Sequence, residues 1–245
     1  MTELSLFTGI GGGLLGTSCL LGWKCIGAVE YEKYPCQVLQ QRITDGCFEP
    51  FPIYCMDIRE FNRRIAPMYT GVVDVITAGF PYQPFSVAGK RRGNEDERNM
   101  WPATIECIRV VRPRHLLLEN VPGLLTHEYV RRIYGDLAES GYTTPWRCLS
   151  AAEVGAPHKR VRWFVVANTD CKFGHYSRYG LPEIRLSNSL DAQTIWNRQS
   201  EPAILGMDND VPHRVDRLKA IGNGQVPLCA ATAWKLLSRL ETKDA

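Results

Sequence analysis

The sequence predicts an α/β fold built on a doubly wound, mostly parallel sheet, and three observations lead to this fold class. Short apolar runs alternate with segments of helical periodicity along most of the chain. Residues 72–78 (VVDVITA) and 115–118 (HLLL) are nearly continuous apolar runs, as is typical of parallel strands that are buried on both faces. Glycine-rich stretches, such as residues 9–13, follow the ends of some runs. In such a sheet, ligands bind at the carboxyl ends of the strands.

Each predicted strand is a short apolar or β-branched run that ends near a polar residue or a glycine. In chain order these runs are residues 3–7 (ELSLF), 25–30 (CIGAVE), a short run closing at Asp57, 72–78, 115–118 and 161–167. The helices are the longer periodic segments, which cover residues 14–22, 33–43, 99–111, 126–140 and 228–241. This alternation of strands and helices is the basis of the doubly wound prediction.

The periodic pattern stops between residues 168 and 212, where the sequence is polar and weakly periodic. We interpret this stretch as a small irregular subdomain. The main domain is then formed by residues 1–167 and 213–245.

The bulk properties favour a cytoplasmic protein with a polyanionic partner. No apolar run approaches the roughly 18–20 residues that a membrane span needs. The nine cysteines contain no CxxC pair, which argues against a disulfide framework or a zinc site, so no metal is expected. The net charge is only +3, but five short basic clusters occur in 245 residues. Although a basic cluster is often only a solvated face, their number favours nucleic acid as a partner.

Acidic residues at successive strand ends indicate a nucleoside pocket. Glu30 ends the second strand, and Asp57 ends the third, while the turn of residues 7–12 follows the first. Glycines allow the backbone to approach a ligand closely, and carboxylates bind ribose hydroxyls or an adenine amino group. Each feature alone is commonly structural, and the prediction depends on their coincidence. A nicotinamide dehydrogenase, the other common owner of such a sheet, is not favoured, because a glycine-rich turn alone is a weak signal.

Three further segments carry chemistry. GFPYQPFS (residues 79–86) is a constrained turn after the fourth strand, and Glu119 ends the fifth strand beside Asn120. A carboxylate in an apolar setting is costly without a partner, although it also occurs as a helix cap. Arg160 and Arg162 flank one residue, so both face the same side of an extended segment, a geometry suited to an anion or a base.

In collinear order these motifs resemble those of the DNA (cytosine-5)-methyltransferases, in their compact bacterial or phage form. The resemblance covers nearly the whole chain and rests on seven segments: LFTGIGG, Glu30-Tyr31, Asp57-Ile58, GFPYQPFS, ENV (119–121), HKRVR (158–162) and AIGNGQVP (220–227). Two departures are mild, since Ser5 stands where the family usually has Asp and His158 where it usually has Gln. The third departure is severe, because Tyr82 occupies the position of the family's nucleophilic cysteine.

The resemblance implies a Rossmann-like methyltransferase fold that binds S-adenosyl-L-methionine. The residues it implies for the cofactor lie in the turns that follow the strands and in the terminal motif: Phe7, Thr8, Gly9, Ile10, Gly11, Gly12, Glu30, Tyr31, Asp57, Ile58, Pro81, Trp101 and Asn223. It also implies that Glu119 hydrogen-bonds a flipped-out cytosine, and that Arg160 and Arg162 hold the base and its phosphate.

Tyr82 is expected to abolish or nearly abolish methyl transfer. In the family, a thiolate adds to carbon 6 of cytosine and makes carbon 5 nucleophilic enough to take the methyl group. A phenol has a higher pKa than a thiol, a harder oxygen and a much larger ring. No other cysteine has a sequence context that would replace the missing one.

Duplex DNA is the expected partner, and the chain is expected to act as a monomer. The residues that we expect to contact DNA lie in the catalytic loop, the basic stretch after it and the subdomain of residues 168–212, which would recognise the target: Gln83, Ser86, Lys90, Arg91, Arg92, Arg178, Arg185 and Arg198. Two alternatives stay open, namely a non-catalytic homologue that binds cofactor and DNA as a regulator, and an RNA cytosine-5 methyltransferase.

Overall fold

The structure is a computed structural model that describes residues 1–81, 99–169, 215–216 and 222–238. Its strands are β1 (Thr2–Leu6), β2 (Lys24–Glu30), β3 (Ile53–Cys55), β4 (Val75–Ala78), β5 (His115–Asn120), β6 (Trp146–Ser150) and β7 (Val161–Asn168). Its α-helices are α1 (Gly12–Leu14), α2 (Lys33–Thr44), α3 (Ile58–Arg64), α4 (Trp101–Val111), α5 (Tyr129–Glu139) and α6 (Pro227–Leu237). A π-helical turn, Leu15–Leu20, continues α1, and three 3₁₀ turns cover Ala66–Tyr69, Pro122–Thr126 and Ala151–Val154.

The seven strands form one sheet in the order β3-β2-β1-β4-β5-β7-β6. The first five strands in this order are parallel, whereas β7 runs antiparallel to both β5 and β6. The predicted doubly wound, mostly parallel sheet is therefore confirmed. Because β7 is reversed, its amino end meets the carboxyl end of β5 at one edge of the sheet.

Helices cover both faces of the sheet, as the apolar strands predict. Successive residues of β5 point to opposite sides, so Leu116 and Leu118 pack with α3, α4 and α5, whereas Leu117 packs with α6. A smaller cluster under α1 and α2 is centred on Leu39 and Phe48. Burial on both faces holds the strand ends that form the cleft described below in fixed positions.

Several predicted boundaries were wrong by a few residues. β4 begins at Val75, because Val72 is exposed and Asp74 accepts a hydrogen bond from the Thr2 amide at 2.7 Å. The fifth helix begins at Tyr129, since the preceding residues form a separate 3₁₀ turn. β7 extends to Asn168, one residue into the predicted subdomain, and residues 170–212 of that subdomain lie outside the described part of the chain.

Two elements were not predicted from the sequence. β6 is an edge strand in which only Leu149 is fully buried, so it has no apolar run. α3 is only seven residues long, too short for a periodic pattern, but it has a capping signal. The Asp57 side chain accepts a hydrogen bond from the Arg59 amide at 2.7 Å and begins the helix.

Candidate active site

A cleft of about 690 Å³ lies at the carboxyl ends of β1, β2, β4 and β5. This volume is in the range of sites that hold a nucleotide-sized ligand. One side of the cleft is formed by the turn after β1 and by the residues after β2 and β3. The other side is formed by the ends of β4 and β5, by Arg162 and by residues 223–225. These two sides are called the cofactor side and the base side below.

The cofactor side is organised around Glu30. Its Oε2 accepts a hydrogen bond from the Gly9 amide at 2.8 Å, and its Oε1 accepts one from the Glu32 amide at 2.9 Å. Gly9 adopts φ 56°, and Phe7 adopts φ 54°, which is an uncommon, strained conformation for a residue with a side chain. The carboxylate is thus fixed at the cleft by backbone donors, with lone pairs left for a ligand.

Half of the predicted glycine-rich turn contacts the cleft directly. Phe7, Thr8 and Gly9 line it, whereas Ile10, Gly11 and Gly12 are not among its lining residues. Gly11 adopts φ 85° and packs against Leu39 and Phe48, and Gly12 packs against the backbone of Gln225. The latter glycines therefore serve close packing beneath the site.

Tyr31, Asp57 and Ile58 line the same side of the cleft, as predicted. Tyr31 is 71% exposed, so its ring has open space beside it for a ligand. Asp57 combines two roles, because it caps α3 through the Arg59 amide while its carboxylate borders the cleft.

Trp101, which the resemblance implies binds the cofactor, is not among the residues that line the cleft. It is fully buried, and its indole nitrogen donates a hydrogen bond to Asp136 at 2.7 Å. Its ring centroid lies 5.2 Å from that of Phe80, a lining residue. Trp101 therefore supports the cleft from behind.

The base side contains a buried ion pair between Glu119 and Arg162. Arg162 Nε lies 3.1 Å from Glu119 Oε1, and only 8% of Glu119 is exposed. Burial raises the pKa of Glu119, and Arg162, Arg160 and Gln225 act in the opposite direction. The neighbouring Asn120 donates to the Phe80 carbonyl at 2.9 Å, which fixes the start of the predicted catalytic loop.

The two arginines, which the resemblance implies hold the base and its phosphate, have different partners. Arg160 donates hydrogen bonds to the carbonyl oxygens of Gly222 at 2.7 Å and Gly224 at 2.6 Å, and it is not among the residues that line the cleft. It therefore holds the loop that carries Asn223, which does line the cleft. Of the two arginines, only Arg162 forms an ion pair with Glu119 in the described part of the chain.

The predicted nucleophile position and every predicted DNA contact lie outside the described residues. Pro81 lines the cleft at the last described position before them. The residues concerned are Tyr82, Gln83, Ser86, Lys90, Arg91, Arg92, Arg178, Arg185 and Arg198.

Sequence reasoning missed Gln225 as an individual site residue. It lines the cleft beside Glu119, although the sequence indicated only the surrounding motif, residues 220–227. Its position directly before Val226 and Pro227, which begin the last helix, was the available signal.

The model of the C-5 cytosine-specific DNA methylases matches residues 1–208. The chain belongs to this family. It is 33% identical over 169 residues to the type II methyltransferase M.NgoMIV of Neisseria gonorrhoeae, an alignment that covers 68% of the chain and 51% of that protein. It is 34% identical over 228 residues to M.BsuFI of Bacillus subtilis, with 88% of the chain and 53% of that protein covered. The chain thus spans about half the length of these relatives.

Solved structures share the fold at lower identity. A DNMT2 variant of Spodoptera frugiperda superimposes with a TM-score of 0.58 at 22% identity, covering 72% of the chain and 53% of that protein. A putative DNA modification methyltransferase encoded within an Escherichia coli prophage gives a TM-score of 0.54 at 22% identity, covering 69% and 46%. At this identity the likeness supports the methyltransferase fold.

Methylases of this family take their methyl group from S-adenosylmethionine, and the cofactor side of the cleft fits that molecule. The cofactor carries a ribose and an adenine together with a sulfonium and an ammonium group. Carboxylates of Glu30, Glu32 and Asp57 border the cleft, so its acidic character suits a cationic ligand with ribose hydroxyls.

None of the eight cysteines in the described ranges lines the cleft of this methylase. The charge of Glu119 acts on the Cys229 thiol, but this thiol is buried, and burial raises its pKa to about 12. A thiol of this kind is a poor nucleophile at neutral pH.

Within the described ranges, no group of three or more His, Cys, Asp or Glu side chains is placed to hold a metal ion. None of the helices there is long and apolar enough to cross a membrane.

Proposed function

We propose that this methylase is built to transfer a methyl group from S-adenosylmethionine to carbon 5 of a flipped-out cytosine in duplex DNA. We also propose that Tyr82 at the nucleophile position prevents the reaction in the unaltered chain. The observation that carries the first proposal is the shared cleft, in which the Glu119–Arg162 ion pair faces the Glu30 turn. A methyl donor on one side would face a base on the other.

On the cofactor side, Glu30 is proposed to bind the ribose hydroxyls and Asp57 the adenine. The support is the fixed geometry of Glu30, whose oxygens are held by the Gly9 and Glu32 amides. A preorganised acceptor loses little side-chain entropy when the ligand arrives. When bound, the cofactor supplies the methyl group as an activated sulfonium.

On the base side, Glu119 is proposed to bind N3 and the amino group of cytosine. Arg162 fixes the carboxyl in place and offsets the cost of its burial. Hydrogen bonds from this edge withdraw electron density from the ring and favour addition of a nucleophile to carbon 6. In a Tyr82→Cys chain, the thiolate would add to carbon 6, and carbon 5 would take the methyl group as the bond between that group and the cofactor's sulfur breaks. A base would then remove the carbon-5 proton, which expels the thiolate and restores the aromatic ring.

The DNA contacts are proposed from the sequence. Gln83, Ser86 and the basic residues 90–92 follow the nucleophile position, where they would meet the opened duplex. Arg178, Arg185 and Arg198 belong to the proposed recognition segment, residues 168–212.

The test compares the unaltered chain with Tyr82→Cys and Tyr82→Ser in transfer of a labelled methyl group to unmethylated bacterial DNA. Label is expected only with cysteine, while calorimetry is expected to show the same cofactor affinity in all three. Serine is the matched control, because it removes the phenol ring without supplying a thiol. Label transferred by the unaltered chain, or none by Tyr82→Cys, would overturn the corresponding proposal.

Two additional arms separate the alternatives. Competition between duplex DNA and transfer RNA tests the substrate, and preferential labelling of RNA would overturn the DNA assignment. Binding of cofactor and DNA by Tyr82→Cys without any transfer would instead identify a non-catalytic binding protein.

A further inference from the structure

The side chain of Gln225 lies where three separate segments of the cleft meet. Its Oε1 packs against Gly13, at the beginning of α1, so closely that a Cβ on Gly13 would overlap it. Its Nε2 is 2.8 Å from the point where a Cβ on Gly79 would stand, and Glu119 Oε2 is 3.2 Å from the same point. Two glycines thus make room for one glutamine between the cofactor side and the base side.

Gln225 completes the set of donors around Glu119. Arg162 Nε lies 3.1 Å from Oε1, and the Gln225 side chain is close enough to the same carboxyl group to lower its pKa. Nε2 and Oε2 border the same point beside Gly79, which places the amide at the second oxygen. A carboxyl that has an arginine at one oxygen and an amide beside the other has little room to rotate.

The loop that carries Gln225 is itself fixed by a cation. Arg160 donates to the carbonyl oxygens of Gly222 and Gly224, the latter directly before Gln225 in the chain. A guanidinium that spans two carbonyls leaves the loop little freedom. Arg160 therefore acts on Glu119 through this loop as well as through its charge.

We propose that Gln225 is a positioning residue that orients the Glu119 carboxyl toward the bound cytosine. Through its contact with Gly13, it links this orientation to the position of the glycine-rich turn. The inference rests on the proposed function for its catalytic meaning, but the contact itself exists in the unaltered chain. Glu119 is also within the electrostatic reach of Arg162, Arg160 and Cys229. Substitutions at position 225 leave those three groups in place.

The first test needs no catalysis and uses the unaltered Tyr82 chain. Glutamate side-chain carboxyls are labelled with carbon-13, and the signal of Glu119, assigned by its loss in Glu119→Gln, is titrated by NMR. Gln225→Glu keeps the shape of the side chain but removes the amide donor and adds a like charge, so the pKa of Glu119 is expected to rise. Gln37→Glu on the exposed face of α2 is the matched control and is expected to leave it unchanged.

Gly13→Ala provides a second route if Gln225→Glu fails to fold. The new methyl group displaces Gln225 without altering its chemistry, and the pKa of Glu119 is expected to rise here too. An unchanged Glu119 titration in every folded variant would overturn the positioning role.

The second test uses Tyr82→Cys as the parent and measures methyl transfer. Gln225→Glu is expected to lower kcat about tenfold or more, with cofactor affinity within about twofold of the parent. Its pH profile is expected to shift toward higher pH, which a packing role alone would not produce. An unchanged kcat and profile would refute the proposal. An inactive parent would count against the proposed function instead, and the NMR titration would still decide the role of Gln225.

Discussion

The two sides of the cleft hold their carboxylates in different ways. Glu30 is fixed by neutral backbone amides from segments close to it in the chain, at residues 9 and 32. Glu119 is fixed by Arg162 and by Gln225, which lie 43 and 106 residues farther along. The cofactor side is therefore a local construction of the first 60 residues, whereas the base side exists only after distant segments meet.

This difference matches the two tasks that we propose. A ribose needs acceptors that are held in place, and backbone donors supply this at little cost. A cytosine edge needs a carboxyl whose orientation and charge are set by its surroundings. Three side chains that can be mutated separately, Arg162, Arg160 and Gln225, act on the charge of Glu119 in addition to its burial.

The largest expected effect is a loss of methyl transfer that leaves cofactor binding unchanged. In the Tyr82→Cys parent, Glu119→Gln is expected to lower methyl transfer about 100-fold or more, because an amide cannot pass a proton to N3 as the nucleophile adds to carbon 6. Cofactor affinity, measured by calorimetry, is expected to stay unchanged. A matching loss of cofactor affinity would show that the two sides are not independent.

The reciprocal change removes the carboxylate of Glu30 from the cofactor side. Glu30→Ala is expected to weaken cofactor binding roughly 10- to 100-fold, since charged hydrogen bonds to the ribose are lost. Calorimetry on the unaltered Tyr82 chain measures this directly, with the exposed Glu49→Ala as control. Equal affinities for the two variants would contradict the role of Glu30.

A smaller effect concerns the loop that joins the base side to α6. Arg160→Met removes two charge-assisted hydrogen bonds to Gly222 and Gly224, and the free energy of unfolding is expected to fall by about 1–3 kcal/mol. Urea unfolding measures this change. Hydrogen exchange of the backbone amides at residues 222–225 is expected to accelerate. Unchanged protection of these amides would show that Arg160 does not hold the loop.

A further effect concerns a second buried acid, Glu3 in β1, for which no ion pair with an arginine is found among the residues that the structure describes. Thr77 donates to it at 2.7 Å, and burial raises its pKa from 4.5 to about 7. Between these pH values the folded state keeps a proton that the unfolded state has released. The free energy of unfolding therefore falls as pH rises from about 4.5 to about 7.

Glu3→Gln keeps an acceptor for Thr77 and cannot ionise. Its free energy of unfolding at pH 8 is expected to exceed that of the parent by about 1–3 kcal/mol, the upper figure being what a pKa change from 4.5 to about 7 gives. At pH 4.5 the two chains are expected to be equal in urea unfolding. An equal difference at both pH values would mean that ionisation of Glu3 is not the cause.

Most of the sheet and the cofactor side could be predicted from the sequence, because their signals are local. β2 ends at Glu30 as predicted, whereas β3 ends at Cys55, two residues before Asp57; both Glu30 and Asp57 line the cleft. Trp101 shows the limit of this reasoning. Its place in the chain gave no indication that Phe80 would stand between it and the cleft.

The sequence indicated most of the residues of the base side, but it did not indicate which of them contact each other. Alternation along an extended segment placed Arg160 and Arg162 together, yet Arg160 turns to the carbonyls of Gly222 and Gly224. β6 also escaped prediction, because an edge strand needs no continuous apolar run.

The sequence by itself determined the α/β class, the acids at the strand ends and the tyrosine at the nucleophile position, since these depend on residue identity and short-range periodicity. The tertiary structure alone decided which groups surround Glu119. The antiparallel course of β7 brings its amino end, with Arg162, to the carboxyl end of β5, and the return of the chain before α6 adds Gln225. Strand direction and chain return depend on packing across the whole sheet, which no local pattern encodes.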